Sequence, residues 1–215
     1  MATVLITACP HDPPTRYGYF YLRKAADVLA KYDHKIIFLR SANLQNFKNA
    51  LLEYDPKFVI LNGHGGSKAV CGCNNQVLLG VLSYDYELGK KIVRENPHWM
   101  QGKIVFLFTC NTGKELAERL YKEGALAVAA FKRDYIFVSE DSSPPRDERA
   151  YPFFMAPVQL PIVMAEGGSF REAVEAVRSA FLYYMEEAEK KGDMVQAKYL
   201  NYDLENFVSY GEARL

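Results

Sequence analysis

The chain has 215 residues, 49% of them apolar, with 26 Lys and Arg balanced against 26 Asp and Glu. That is enough apolar material for one folded domain over residues 1–215, and it excludes a disordered chain, a collagen-like repeat and a disulfide-built miniprotein. A formal charge of zero supplies no field that would draw nucleic acid or an anionic membrane, so neither is expected as a partner.

The first apolar run, Thr3–Thr7, opens a segment with no basic leader ahead of it, and no cleaved signal peptide is expected. Further β-rich runs lie at Lys35–Leu39, Lys57–Leu61, Lys103–Phe108 and Leu126–Phe131. Each is nearly continuous rather than alternating, as strands buried on both faces are. Helical patterns separate them: Tyr19–Tyr32 with Leu22, Ala25, Ala26 and Leu29 on one face, Leu44–Tyr54 with Phe47 and Leu51, then Asp85–Asn96 and Gly113–Glu123. For the last, Thr112 and Glu115 form a capping-box pattern and Gly124 stands where a left-handed cap belongs. The alternation predicts an α/β fold, a three-layer sandwich with a mostly parallel central sheet.

Between the third and fourth of these strands, the glycine-rich stretch Ser67–Ser83 reads as a loop or small hairpin and a candidate pocket wall. Beyond the fifth, Tyr135–Val138 reads as a short strand, and Asp134–Arg149 as a mobile segment whose Ser142–Arg149 part is a plausible cleavage loop. Tyr151–Ala165 is uncharged but holds Pro152, Pro157 and Pro161 and is too short to span a bilayer. From Gly168 the chain is helical, opened by the capping box of Ser169 and Glu172, and Asp193–Leu215 reads as a final helix or extended tail. The tyrosines of this last third suggest a homodimer face. The four cysteines, Cys9, Cys71, Cys73 and Cys110, are too irregular for a paired framework and are expected as reduced thiols in the cytoplasm.

In an open parallel sheet, ligands bind beyond the carboxyl ends of the strands. Three reactive segments should meet there: Cys9-Pro10-His11-Asp12, Asn62-Gly63-His64-Gly65-Gly66 and Thr109-Cys110-Asn111-Thr112. The glycine-flanked turn displays the His64 imidazole. Cys110 follows a buried strand and precedes the expected helix N-terminus, where a thiolate is stabilised. A Cys110–His64 dyad is the natural expectation. His11, Gly66 and Asn111, on the same segments, are candidates for substrate contact. Three other readings compete. One is a metal site of His11, His64 and Cys110, perhaps with Asp12. Another is a non-enzymatic interaction module. The last is phosphate binding by NGHGGS or CNTGK, which match neither a P-loop nor a dinucleotide fingerprint.

GHG at one strand end, followed later by FLFTCNTG, resembles the histidine-glycine and cysteine motifs of clan CD cysteine peptidases, among them caspases, gingipains and CHAT domains. CNTGKELAERLYKEGALAVAAF and GGSFREAVEAVRSAF extend the resemblance, which covers roughly residues 57–181. It implies a caspase-like fold and a peptidase acting on peptide or protein substrates without cofactor or metal. Cys110 would be the nucleophile and His64 its proton partner, with the N–H groups of Gly65 and Cys110 as oxyanion donors. It further implies that Asp12 and Asp134 flank the pocket for the residue before the scissile bond, where an acid would favour Arg or Lys.

Overall fold

The computed structural model describes residues 1–93, 95–140 and 143–215. In chain order, β1 (Thr3–Ala8) leads to α1 (Pro13–Lys31), β2 (Lys35–Leu39) to α2 (Leu44–Tyr54), and β3 (Phe58–Asn62) to a hairpin of β4 (Ala69–Cys71) and β5 (Val77–Gly80). A ribbon of β6 (Ser83–Asp85) and β7 (Lys90–Ile92) follows, then β8 (Ile104–Phe108), α3 (Leu116–Lys122) and β9 (Ala127–Phe131). Helices α4 (Tyr151–Met155), α5 (Gln159–Ala165), α6 (Phe170–Lys190) and α7 (Met194–Asn206) precede the last strand, β10 (Phe207–Gly211).

The central sheet has six strands in the order β10-β9-β8-β3-β1-β2. All its pairings are parallel except that of β10, which runs antiparallel along β9. Every residue of β3, β8 and β9 is buried, because both sheet faces are covered and neither needs a polar side chain. Val4, Ile6, Ile60 and Phe106 face one apolar layer with Leu22 of α1, Phe153 of α4, Leu160 of α5, Phe181 of α6 and Leu200 of α7. Leu5, Val59, Leu61 and Leu107 face the other, with Phe47 of α2 and Leu120 of α3. The expected α/β sandwich with a mostly parallel sheet is therefore present, and its five predicted strands are found with shifts of one residue at most.

Four local expectations fail, each for a tertiary reason. Asp85–Asn96 does not form a helix. The Asp85 side chain is fully buried and accepts from the backbone N–H of Lys68 (2.7 Å) and of Leu88 (3.2 Å), which bends the chain into the β6–β7 ribbon. Tyr86 and Val93, which a helix would have buried, stand exposed; Arg94 lies outside the described residues. Among the described residues Tyr135–Val138 pairs with no strand. The sheet edge beside β9 is taken by β10, and the N–H groups of Tyr135 and Ile136 go to the Cys110 sulfur and the Asp203 carboxylate. The fourth helix begins at Leu116 without a side-chain cap, since the Thr112 hydroxyl bonds that of Thr109 at 3.0 Å. The first begins at Pro13, not Tyr19, because Asp12 and Thr15 close a capping box ahead of two prolines that suit a first turn.

Elsewhere Ser169 and Glu172 form the expected capping box, and Gly124 has the expected positive φ of 98°. Ser67–Ser83 contains the β4–β5 hairpin. Residues 193–215 supply both a helix and the unexpected strand β10, and residues 151–165 fold into α4 and α5. Among the described residues no helix is long and apolar enough to cross a membrane. Asp141 and Ser142, within the segment expected to be mobile and at the head of the expected cleavage loop, lie outside the described residues.

Strand register sets the working edge. Ala8 pairs with Asn62 and Asn62 with Phe108, so β1, β3 and β8 end level. Asn62 locks that level, donating through Nδ2 to the Phe108 carbonyl at 3.2 Å. Gly18 of α1 passes so close that an added Cβ would lie 2.3 Å from Asn62 Nδ2. Gly18→Ala gains about 1 kcal/mol of helix propensity but must displace this buried amide, at a cost of about 1–3 kcal/mol. We therefore expect no net stabilisation, and a lower urea midpoint with unchanged slope, measured by equilibrium unfolding; a midpoint raised by the full propensity gain would contradict the packing.

Candidate active site

Each candidate residue sits just beyond one of the three level strand ends, except Asp134, which follows β9. After β1, Asp12 caps α1: its Oδ1 accepts from the Thr15 N–H at 3.0 Å and from the Thr15 hydroxyl at 2.6 Å. Its other oxygen, Oδ2, lies 2.5 Å from His64 Nε2 and 3.3 Å from His11 Nε2. The His11 ring stands edge-on to that of His64, 5.4 Å between centroids, with Nδ1 3.2 Å from the Cys9 carbonyl. Burial alone would raise the Asp12 carboxyl, but the bonds from Thr15 and His64 outweigh it and hold the carboxyl below its ordinary value.

After β3, the Gly63–Gly66 turn carries His64 alongside the β8 end. A Cβ on Gly65 would lie 2.4 Å from the Cys110 carbonyl oxygen, so only glycine lets the two backbones come this close. Gly66 abuts the buried Asp85 carboxylate in the same way. After β8, Asn111 takes a left-handed conformation, φ 61°, and its side chain donates to Asp134 at 2.5 Å. The N–H groups of Gly65 and Cys110 donate to no backbone carbonyl and to no other residue's side chain among the described residues.

His64 and Cys110 line two cavities together. One is an open cleft of about 540 Å³, shared with Glu87, Lys90, Asn111 and Asp134. The other, about 60 Å³, is walled by Phe108, Phe137 and Phe154. In the cleft, Glu87 accepts from Lys114 at 2.7 Å, and this bond, opposed by burial and aided by Ser67, holds its carboxyl at about 2. Of the two acids expected at the pocket base, Asp134 lines the cleft, whereas Asp12 is turned onto His64.

The Cys110 thiol is pushed up to about 11, first by burial and then by the charges of Asp134 and Asp203, against the lowering effect of the Tyr135 N–H, which donates to Sγ at 3.2 Å. The helix N-terminus expected to activate it is absent, since α3 starts six residues further on. No hydrogen bond joins Cys110 Sγ to the His64 ring among the described residues. At neutral pH a thiol with this value costs about 5 kcal/mol to ionise, so a base must take its proton as it attacks.

Sequence reasoning missed three features. The Tyr135 N–H on the thiol and the buried acid Asp203 come from segments with no local signal for a site. The third is a correction: Cys9 and Cys73 are joined in a disulfide, their Cα atoms 5.4 Å apart, and only Cys71 and Cys110 are free. A pairing across 64 residues leaves no trace in local spacing. The expected metal cluster is also altered: His11, Asp12 and His64 bring their donor atoms within 4.8 Å of one another, and Cys110 is not among them.

Because thiolate is the reactive form, alkylation of Cys110 by iodoacetamide in the ligand-free protein should climb about tenfold per pH unit from about pH 8 to about pH 10, with no plateau near the ordinary cysteine value. Peptide mapping by mass spectrometry separates this site from Cys71, and a plateau near about pH 8.5 would contradict the buried thiol. No family model and no curated protein matches this chain.

Proposed function

We propose that the chain is a cysteine endopeptidase of caspase-like fold, hydrolysing peptide bonds with Cys110 and His64. One observation carries the reading: a thiol and an imidazole from neighbouring strand ends open on one cleft, next to the N–H groups of Gly65 and Cys110, which donate to no other described residue. His64 Nε2 is held by Asp12, which leaves Nδ1 as the nitrogen that exchanges protons with the thiol. In the reaction the thiol proton passes to His64 as sulfur attacks the scissile carbonyl carbon. The oxyanion is received by the Gly65 and Cys110 N–H groups, and the protonated imidazole gives its proton to the departing amine. Water then cleaves the thioester by the reverse proton route. Asp12 acts as a positioning residue, fixing the orientation of the His64 ring.

Asn111 and Asp134 line the cleft beside the dyad as substrate contacts in this reading, while His11 and Gly66 lie outside its lining, and Asp134 supports a preference for a basic residue before the scissile bond. The buried thiol, which makes no hydrogen bond to His64, favours a second reading, a catalytically silent interaction module on the same fold. Composition supports a protein of the cytoplasm, but the Cys9–Cys73 bond fits an oxidising compartment better. Thiol titration of freshly isolated, denatured protein without reductant is expected to count two free thiols; four would place the chain in a reducing compartment.

The deciding experiment uses peptidyl acyloxymethyl ketones bearing either a basic or an acidic specificity residue. The basic probe is expected to label Cys110 selectively, labelling should be lost in Cys110→Ala and fall at least about 100-fold in His64→Ala, and Asp134→Asn should erode the basic preference. Labelling that ignores His64, or none in a folded protein, would favour the silent module.

A further inference from the structure

We propose that His11, Asp12 and His64 form a binding site for a zinc-type divalent cation, and that the cation switches off the Cys110–His64 dyad. The cation site stands on geometry alone; its inhibitory effect rests on the function proposed above.

Three residues converge: His11 Nε2 and His64 Nε2 stand 3.3 and 2.5 Å from Asp12 Oδ2, and each residue brings a donor atom within 4.8 Å of the other two. Two imidazoles and a carboxylate with open positions remaining suit zinc. With metal–ligand distances of about 2.0–2.1 Å, tetrahedral donors lie about 3.3 Å apart. The His11–Asp12 separation is already 3.3 Å, and the His64–Asp12 contact of 2.5 Å must open by less than about 1 Å. His64 rides on a glycine-flanked turn and is 38% exposed, so the ring has room to move.

The surroundings orient these donors as a metal site requires. His11 Nδ1 faces the Cys9 carbonyl at 3.2 Å, which places the proton on Nδ1 and leaves the Nε2 lone pair facing the carboxylate. Asp12 Oδ1 is occupied by the Thr15 N–H and hydroxyl, leaving Oδ2 as the free oxygen. Lone pair and carboxylate facing each other at 3.3 Å repel unless a proton or a cation lies between them.

The inhibitory consequence follows from imidazole chemistry. When a cation takes His64 Nε2, the single proton of the neutral ring moves from Nε2 to Nδ1. A neutral ring with Nε2 on metal and Nδ1 protonated has no lone pair for the thiol proton, so Cys110 stays protonated and unreactive.

Calorimetric titration of zinc chloride into the Cys110→Ala protein tests the site without reference to activity. One equivalent is expected to bind, with affinity falling at least about tenfold in the same background carrying His11→Ala or Asp12→Asn. Asparagine keeps the helix cap, and circular dichroism verifies the fold of each variant. No binding by Cys110→Ala, or binding unchanged by His11→Ala, would overturn the site. In the wild type, zinc should block acyloxymethyl ketone labelling of Cys110 and a chelator should restore it. Binding without any block overturns the inhibitory role alone. Absent labelling with or without zinc overturns the peptidase reading and the inhibition, while the titration still decides the cation site.

Discussion

The level ending of three parallel strands is the constraint from which the rest of the site follows. Parallel neighbours connected by crossovers all finish on the same edge, and here the register makes them finish at the same height: Ala8, Asn62 and Phe108 pair in a row. Asp12, His64 and Cys110 then fall within a few residues of that row. A shift of one residue in β3 would reverse which face its side chains meet and turn the His64 segment away from both neighbours. The Asn62 amide ties β3 to β8, and the closeness of Gly18 to it seats α1, whose N-terminal cap is Asp12 itself. The same residue therefore ends a loop, starts a helix and holds an imidazole.

Burial serves this site and opposes it. The side chains of Phe108, Phe137 and Phe154 line the small cavity beside Cys110 and lower the polarity on that side, which strengthens charge interactions there. Burial also keeps the thiol protonated. Asp203, itself buried and raised well above an ordinary carboxyl, first by desolvation and against the Ile136 N–H, adds to that effect. One contact works in the other direction: the Tyr135 N–H donates to the sulfur and would stabilise a thiolate once formed. A thiol in this setting stays protonated at neutral pH unless a base takes its proton, and in the function proposed above that base is His64.

Features that depend on neighbours in the chain were legible. Five of the six strands of the central sheet announced themselves as continuous apolar runs, α2 was found at its observed ends, and the Ser169–Glu172 cap is a three-residue relation that needs nothing distant. The Thr112–Glu115 pattern looks the same on paper, yet Thr112 spends its hydroxyl on Thr109. Asp85–Asn96 has helical spacing, yet a buried carboxylate bonded to the Lys68 and Leu88 N–H groups makes it a ribbon. Tyr135–Val138 has strand composition, yet β10, from the far end of the chain, takes the edge beside β9.

The amino-acid sequence by itself determined the α/β sandwich and the strand ends at which the candidate residues His64 and Cys110 stand, because periodicity and punctuation are local and an open parallel sheet converts them into one edge. Only the tertiary structure decided that Asp12 grips His64 instead of lying open in the cleft, that Cys9 bonds Cys73, and that the His11, Asp12 and His64 donors converge without Cys110. Those are relations of direction and distance between side chains from separate segments, settled by how helices and hairpins pack on the sheet, and no spacing along the chain encodes them.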